Sequence, residues 1–122
     1  MFALQLHPVP ASISVRLIGV LDADLVAAFA ALERGLAESS GATVIVDVRD
    51  LGPLGETDMH GLAGAIGVAR AAGRDVRLDV RSPAWRRVAK RELAGQPPID
   101  PVLRAGVRRT VILAHSAKRK HD

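Results

Sequence analysis

The sequence has no cysteine and only three aromatic residues, and each shortage excludes a class of function. Without cysteine the chain can form no disulfide, no cysteine-ligated zinc or iron–sulfur site and no thiol nucleophile. Proteins that recognise nucleic acid by base stacking need several exposed rings, and Phe2, Phe29 and Trp85 are too few. We therefore expect no sequence-specific binding of nucleic acid.

A long hydrophobic run is also absent. No stretch reaches the roughly 20 apolar residues that span a bilayer, and the start of the chain lacks the basic segment and apolar core of a signal peptide. The expected location is therefore the cytoplasm. The 122 residues, of which 48% are hydrophobic and 25% charged, match one globular domain. We expect this domain over residues 1–116, followed by a basic flexible tail over residues 117–122.

The net charge of +4 is unevenly distributed along the chain. Residues 1–80 carry six arginines and ten acidic residues, a net charge of −4, whereas residues 81–122 carry eleven basic and three acidic residues, a net charge of +8. A basic segment of this kind faces an acidic protein, nucleic acid or an anionic membrane, or it only keeps the chain soluble. The charge pattern leaves these alternatives open.

Apolar residues recur at strand and helix periods along the whole chain. The pattern predicts strands over residues 3–7, 12–20, 43–48, 75–80 and 109–114, and helices over residues 22–40, 58–72, 83–93 and 100–105. The first two strands are joined by a proline-rich turn, which predicts an opening β-hairpin, and the later alternation of strands and helices predicts parallel pairing. The expected fold class is α/β, with a four- to five-stranded mixed sheet that the hairpin opens and on which the helices pack.

Helix ends and a glycine stripe add local detail. Asp22, Asp58 and Ser82 are suitable N-cap residues for the first three helices, and Gly41 and Gly73 are suitable C-cap residues. Glycines recur three apart inside the second helix, where each costs about 1 kcal/mol relative to alanine. We expect this stripe, which consists of Gly61, Gly64 and Gly67, to allow a close approach to the sheet, and self-association as a homodimer is the alternative.

Residues typical of catalysis or metal binding do not form a recognisable pattern. The four histidines, His7, His60, His115 and His121, have no metal-ligand spacing with one another or with a nearby carboxylate. The glycine-rich segment at residues 61–67 matches neither a dinucleotide-binding fingerprint nor a phosphate-binding loop. Asp22 and Asp47 fit a cap and a polar strand position better than a catalytic pair. We expect no enzyme activity, no catalytic residue, no metal and no cofactor.

Three motifs, in order, resemble those of STAS domains, the anti-sigma-factor antagonist family. Val20-Leu21-Asp22 opens a helix as the family's G-x-L-D motif does. Asp50-Leu51, followed by Asp58-Met59-His60-Gly61-Leu62, resembles the family's D-L … D-S-S-G-L motif with the same spacing between the aspartates. Ser82-Pro83 at the start of the third helix is another feature of the family. The resemblance covers about residues 2–93.

The resemblance implies a bacterial, non-catalytic module that regulates transcription by partner switching. In the family, a serine at the start of the second helix is phosphorylated by an anti-sigma factor with a kinase-like fold, and the unmodified surface binds that partner. Phosphorylation adds a charge of about −1.5 to −2, which disrupts a packed interface. By this resemblance the partner-binding residues are Glu56, Thr57, Asp58, Met59, His60, Gly61 and Leu62.

The chain departs from the family at the phosphorylated position. Met59 and His60 replace the two serines and have no hydroxyl group, so the family's serine switch is absent there. Three interpretations remain: the partner is bound constitutively, the phosphorylation site has moved to Thr57, or the domain has taken another binding role or lost the switch surface. His60 either has a proton-sensing role, for which histidine is the suitable residue type, or is an exposed histidine without a task.

Two further functions remain as alternatives. Some STAS domains are accessory subunits of membrane lipid or ion transport systems, and here a basic third helix would face the transporter peripherally or contact anionic lipid. This secondary surface consists of Trp85, Arg86, Arg87, Lys90 and Arg91; Trp85 either anchors an interface or packs beneath the helix. The other alternative is a small phosphate-ligand-binding domain that uses Asp58 and His60.

Overall fold

A computed structural model describes residues 11–52, 54–94, 99 and 101–115, without the side chains of residues 37, 39 and 40. The four strands and four helices predicted within this part of the chain are all present. They are β1 (Ser12–Gly19), α1 (Ala23–Ser40), β2 (Thr43–Leu51), α2 (Glu56–Ala71), β3 (Val76–Asp79), α3 (Pro83–Glu92), α4 (Pro101–Ala105) and β4 (Val107–His115). The tail predicted over residues 117–122 lies outside the described residues.

The described sheet has the strand order β3-β2-β1-β4, and all neighbouring strands run parallel. The expected α/β class is confirmed, whereas the mixed sheet opened by a hairpin is wrong for the described strands. β1 pairs with β2 on one edge and with β4 on the other, which leaves β1 no edge for a hairpin partner. The strand predicted over residues 3–7 lies outside the described residues. Hydrophobic alternation shows that a segment is extended, but it does not identify the strand with which that segment pairs.

One face of the sheet forms the main core with α1, α2 and α3. Val15, Val46 and Leu78 project from β1, β2 and β3 and are completely or almost completely buried. They belong to one hydrophobic cluster with residues from the three helices, which include Leu25, Phe29, Leu62, Ile66, Trp85 and Val88. The helical spacing of these apolar residues explains why the helices lie on the sheet with these sides inward.

The opposite face of the sheet is more polar and is partly covered by α4. Ser12 Oγ on β1 donates to the carbonyl oxygen of Leu103, at 2.7 Å, and Arg104 pairs with Asp79 on β3, at 3.1 Å. Asp79 and Asp47 are both buried despite their charge. Residues 44–48 of β2 are buried without interruption, as expected for a central strand with both faces covered.

The caps are only partly as predicted. Asp22 Oδ1 accepts the Leu25 N–H at 3.0 Å, and Ser82 Oγ accepts the Trp85 N–H at 3.2 Å, which confirms both as N-caps. The N-cap of α2 is Gly55 rather than Asp58, because the helix begins at Glu56 and places Asp58 inside its first turn. Two predicted C-cap glycines, 41 and 73, have positive φ angles of 64° and 87°.

The glycine stripe of α2 does not approach the sheet. A Cβ atom built on Gly61 would lie 4.0 Å from Cγ2 of Val26 on α1, and one built on Gly64 or Gly67 would meet nothing within 4 Å. The prediction of close helix–sheet packing is therefore wrong. The buried side of α2 carries Met59, Leu62, Ala63, Ile66 and Ala69, so the helical period turns the glycines away from the sheet.

Within the described part of the chain, no helix combines the length and apolar character that crossing a bilayer requires.

Candidate functional site

The candidate site lies at the edge of the sheet where β2 and β3 end. Asp47 and Asp79 are paired in register near the carboxyl ends of these parallel strands. The chain then enters α2 and α3, which contact each other. Because β2 and β3 are parallel, the segments that follow them leave the sheet at the same edge.

A cavity of about 410 Å³ opens at this edge. Its floor is apolar and includes Val48, Met59 and Trp85, while Arg49 and Arg81 stand at its rim. Of these, the three floor residues are buried and the two arginines are exposed. An apolar floor with a few charged groups at the rim is the usual composition of a binding cavity.

A second cavity, also of about 410 Å³, continues the first along the two helices. Leu54, Met59 and Ala84 line both cavities, so the two adjoin. The second is lined further by Val88 and by charged residues of both helices: Glu56, Arg87 and Arg91. We call the two cavities together the α2–α3 groove.

Ion pairs join the two helices beside the groove. Arg91 Nη2 of α3 lies 3.2 Å from Glu56 Oε1 of α2, and this guanidinium holds the pKa of the Glu56 carboxyl below its ordinary value. His60 Nε2 lies 3.5 Å from Glu56 Oε1, and His60 Nδ1 contacts the carboxylate of Glu92. His60 is therefore not the isolated exposed histidine that the sequence left open, since it bridges α2 and α3.

The charge of the groove is predominantly positive. Four arginines line it, against the two carboxylates of Asp79 and Glu56. Asp79 is already paired with Arg81 and Arg104, at 3.2 and 3.1 Å, and Glu56 with Arg91. Three of the four arginines are thus paired, since Arg49 contacts Asp47, and Arg87 has no ion pair with a described residue. The groove therefore favours an apolar group with negative charge beside Arg87.

Because the predicted partner-binding segment, residues 56–62, is helical, its side chains lie on different sides of α2. Glu56 and Met59 line the groove, and His60 lies beside it. Thr57 and Gly61 are exposed but do not line either cavity, and Asp58 is half-buried. Leu62 is fully buried in the core, so the prediction that Leu62 contacts a partner is wrong. The helical period, which places residues 59, 62 and 66 on the sheet side, is the physical reason.

The predicted basic surface is divided in the same way. Trp85 is only 4% exposed, so it packs beneath α3, and it also forms part of the floor of the first cavity. Arg87 and Arg91 line the second cavity, whereas Lys90 is exposed outside it and Arg86 donates to the carbonyl oxygen of Arg81 at 3.3 Å. The structure thus brings residues from both predicted surfaces together in one groove.

Most of the groove residues were not predicted as site residues from the sequence, and four of them illustrate why. Arg49 and Arg81 lie at the ends of β2 and β3, and Leu54 and Ala84 lie where the following helices begin. Their positions just after consecutive parallel strands are a usable signal, because the carboxyl ends of such strands meet at one edge.

A second cluster of chemically capable side chains lies at the same carboxyl end of the sheet, beside the ends of β1 and β4. One ligand atom from each of Asp22, Asp24 and His115 lies within 4.8 Å of the others, so histidine and carboxylate do come together, across a long sequence separation. His115 Nε2 is 2.9 Å from Asp22 Oδ2, and Asp22 Oδ1 caps α1. Both oxygens of Asp22 are thus engaged within the fold, and the cluster joins the end of β4 to the start of α1.

The chain matches no protein-family model, no curated protein and no solved structure.

Proposed function

We propose that the protein is a non-catalytic regulatory module that binds a protein partner through the α2–α3 groove. One observation carries this proposal: residues of the predicted partner-binding segment and of the basic third helix line one groove with an apolar floor and an arginine rim. Protein interfaces combine a buried apolar centre with a polar rim, and arginine is enriched in them.

The resemblance to STAS domains makes the proposal more specific. The partner is an anti-sigma factor or another regulatory protein with a kinase-like fold, and the encounter takes place in the cytoplasm. Met59 is a floor residue of the groove and His60 bridges α2 and α3. Side chains with such packing roles support constitutive binding of the partner, without the family's serine switch.

Regulation at Thr57 is a secondary part of the proposal. Thr57 is exposed in the first turn of α2 and follows Glu56, which lines the groove. A phosphate there would add two negative charges next to an existing carboxylate and would compete for Arg91. Thr57→Glu should therefore weaken partner binding, and Thr57→Ala should leave it unchanged.

The two alternative functions receive less support from the geometry. The apolar side of α3 is buried, through Trp85 and Val88, so this helix has no free apolar face for insertion into lipid. An anionic ligand bound at Asp58 and His60 would meet the carboxylates of Glu56 and Glu92, which already contact His60. A transport role therefore requires docking onto a protein, and a phosphate site at His60 is electrostatically unfavourable.

Affinity capture from the source cell tests the proposal. The baits are the wild-type chain, Ala84→Glu, which fills the shared wall of both cavities, and Ala28→Glu, a matched change on an exposed position of α1. We expect one regulatory protein to be retained by the wild type and Ala28→Glu and lost with Ala84→Glu. Retention of the same proteins by all three folded baits would overturn the groove as the partner site.

A further inference from the structure

We propose that the occupant of the α2–α3 groove is an acidic amphipathic segment of the partner protein. Two neighbouring apolar side chains of this segment enter the two cavities, and its carboxylates lie along the arginine rim. This inference rests on the proposed function, because it names the chemistry of the partner that the groove accepts.

The two cavities indicate that the occupant carries apolar side chains. Each has a volume of about 410 Å³, and both share the side chains of Leu54, Met59 and Ala84. The first cavity is mainly apolar, and the second combines Leu54, Met59, Ala84 and Val88 with charged residues. Adjoining cavities between helices accept two side chains from one face of an incoming helix, such as residues i and i+4, which lie about 5–6 Å apart. Such anchors, buried in fitted cavities, supply most of the binding energy of an interface.

The arginines at the rim indicate that the occupant also carries carboxylates. Arg87 lines the second cavity and has no ion pair with any residue that the structure describes. Arg49 and Arg81 are about half exposed, although each already contacts a buried aspartate. Guanidinium groups of this kind bind an incoming carboxylate in a bidentate manner.

Charged residues around the rim also favour an acidic occupant. Arg86 and Lys90 are exposed on α3 and add two positive charges outside the groove. Glu56 and Asp79, which line the groove, are held by arginines of the fold itself, and Glu92 beside the groove contacts His60. A basic segment would therefore be repelled over most of the groove, whereas an acidic one would be attracted on approach.

Trp85 provides an intrinsic reporter for the test. It is the single tryptophan of the chain, and it forms part of the cavity floor. The probe is a synthetic peptide without aromatic residues that carries two leucines four residues apart in a background of glutamate, glutamine and alanine. The matched peptide has lysine in place of every glutamate, and both are titrated while Trp85 emission is recorded.

We expect a saturable change of Trp85 emission with the glutamate peptide, at least about tenfold weaker binding of the lysine peptide, and weaker binding of the glutamate peptide as salt is raised. Arg87→Glu should weaken binding of the glutamate peptide by about tenfold, whereas Arg34→Glu, a matched change on exposed α1, should alter it less than about twofold. Ala84→Glu should abolish the signal.

Three results would overturn the inference. They are no saturable change with the glutamate peptide, equal binding of the two peptides, or a Trp85 response only to vesicles of anionic phospholipid. If the peptide fails while Ala84→Glu still loses a protein partner in affinity capture, the groove binds a partner of other chemistry and the proposed function stands. If both measurements fail, the proposed function falls as well.

Discussion

Each buried charged side chain among the described residues is paired with a side chain of opposite charge. Glu33 on α1 is 1% exposed and accepts hydrogen bonds from Arg74 with both carboxylate oxygens. Asp47 and Asp79 are held by arginines in the same way. Among the described residues, no buried side-chain nitrogen or oxygen atom lacks a hydrogen-bond partner. The helix pattern predicts Leu32 and Leu36 as inward residues but gives no sign that Glu33 lies inside beside them.

We expect Arg74→Ala to destabilise the fold strongly. The change leaves the Glu33 carboxylate buried without its partner, which costs about 2–4 kcal/mol of unfolding free energy, since Arg74 keeps a quarter of its side chain exposed. Urea denaturation followed by circular dichroism measures the difference. Arg34→Ala, on the exposed side of α1, is the control and should change stability by less than about 0.5 kcal/mol. Equal effects of the two variants would contradict the structural role of the pair.

A second residue-scale prediction concerns acid stability. Hydrogen bonds from the Leu25 N–H and from His115 hold the pKa of Asp22 below its ordinary value. A carboxyl whose pKa is lower in the folded state stabilises the fold above its unfolded pKa of about 3.9, and this stabilisation is lost as the pH falls through the folded pKa. Wild type should exceed Asp22→Asn in stability at pH 7, and the difference should shrink below about pH 4.

Unfolding free energies at several pH values check this prediction. Asp24→Asn, an exposed change at the start of the same helix, is the control, and its difference from wild type should depend less on pH. A difference between wild type and Asp22→Asn that stays constant from pH 7 to below pH 4 would contradict it.

Among the elements, α2 has several features that lower the stability of a helix. Its N-cap is Gly55, which provides no side-chain hydrogen bond, and glycines stand inside it on open surface. The sequence indicates that these glycines lower the stability of the helix, but it does not show which side of α2 they occupy. The apolar residues on the buried side of α2 are what stabilises this helix, so its stability depends on packing against the sheet and α3.

Gly64→Ala and Gly67→Ala should each stabilise the protein. A Cβ atom at either position meets nothing within 4 Å, and neither backbone requires a glycine, so alanine restricts the unfolded chain without a clash. The expected gain is about 0.5–1 kcal/mol each, seen as a Tm raised by a few degrees.

Gly19→Ala should do the opposite. Gly19 has a φ of +106°, and a Cβ atom there would lie 1.8 Å from the carbonyl oxygen of His115. The variant should unfold at a clearly lower temperature than wild type. Destabilisation by Gly64→Ala comparable to that by Gly19→Ala would show that the outer side of α2 is covered.

At the scale of the whole molecule, the sequence predicts elements better than it predicts their neighbours. Hydrophobic periods, β-branched residues and cap residues locate every described strand and helix, because these signals are local properties of the chain. Strand order is not local: β4 returns to pair with β1, and this pairing excludes the predicted hairpin. For the same reason, the sequence predicts residues of the candidate site one at a time but does not predict that they lie close together. Met59 and Trp85 were each singled out, but only the packing of α2 on α3 joins them in one groove.

Site-specific photocross-linking in the source cell shows whether a partner occupies the α2–α3 groove. A photoreactive phenylalanine analogue replaces Arg87 at the rim of the α2–α3 groove or, as the control, the exposed Arg34 of α1. The account predicts a covalent adduct with one regulatory protein from position 87 and none with that protein from position 34. An adduct with that protein from position 34 and none from position 87 would place the partner elsewhere and contradict the account.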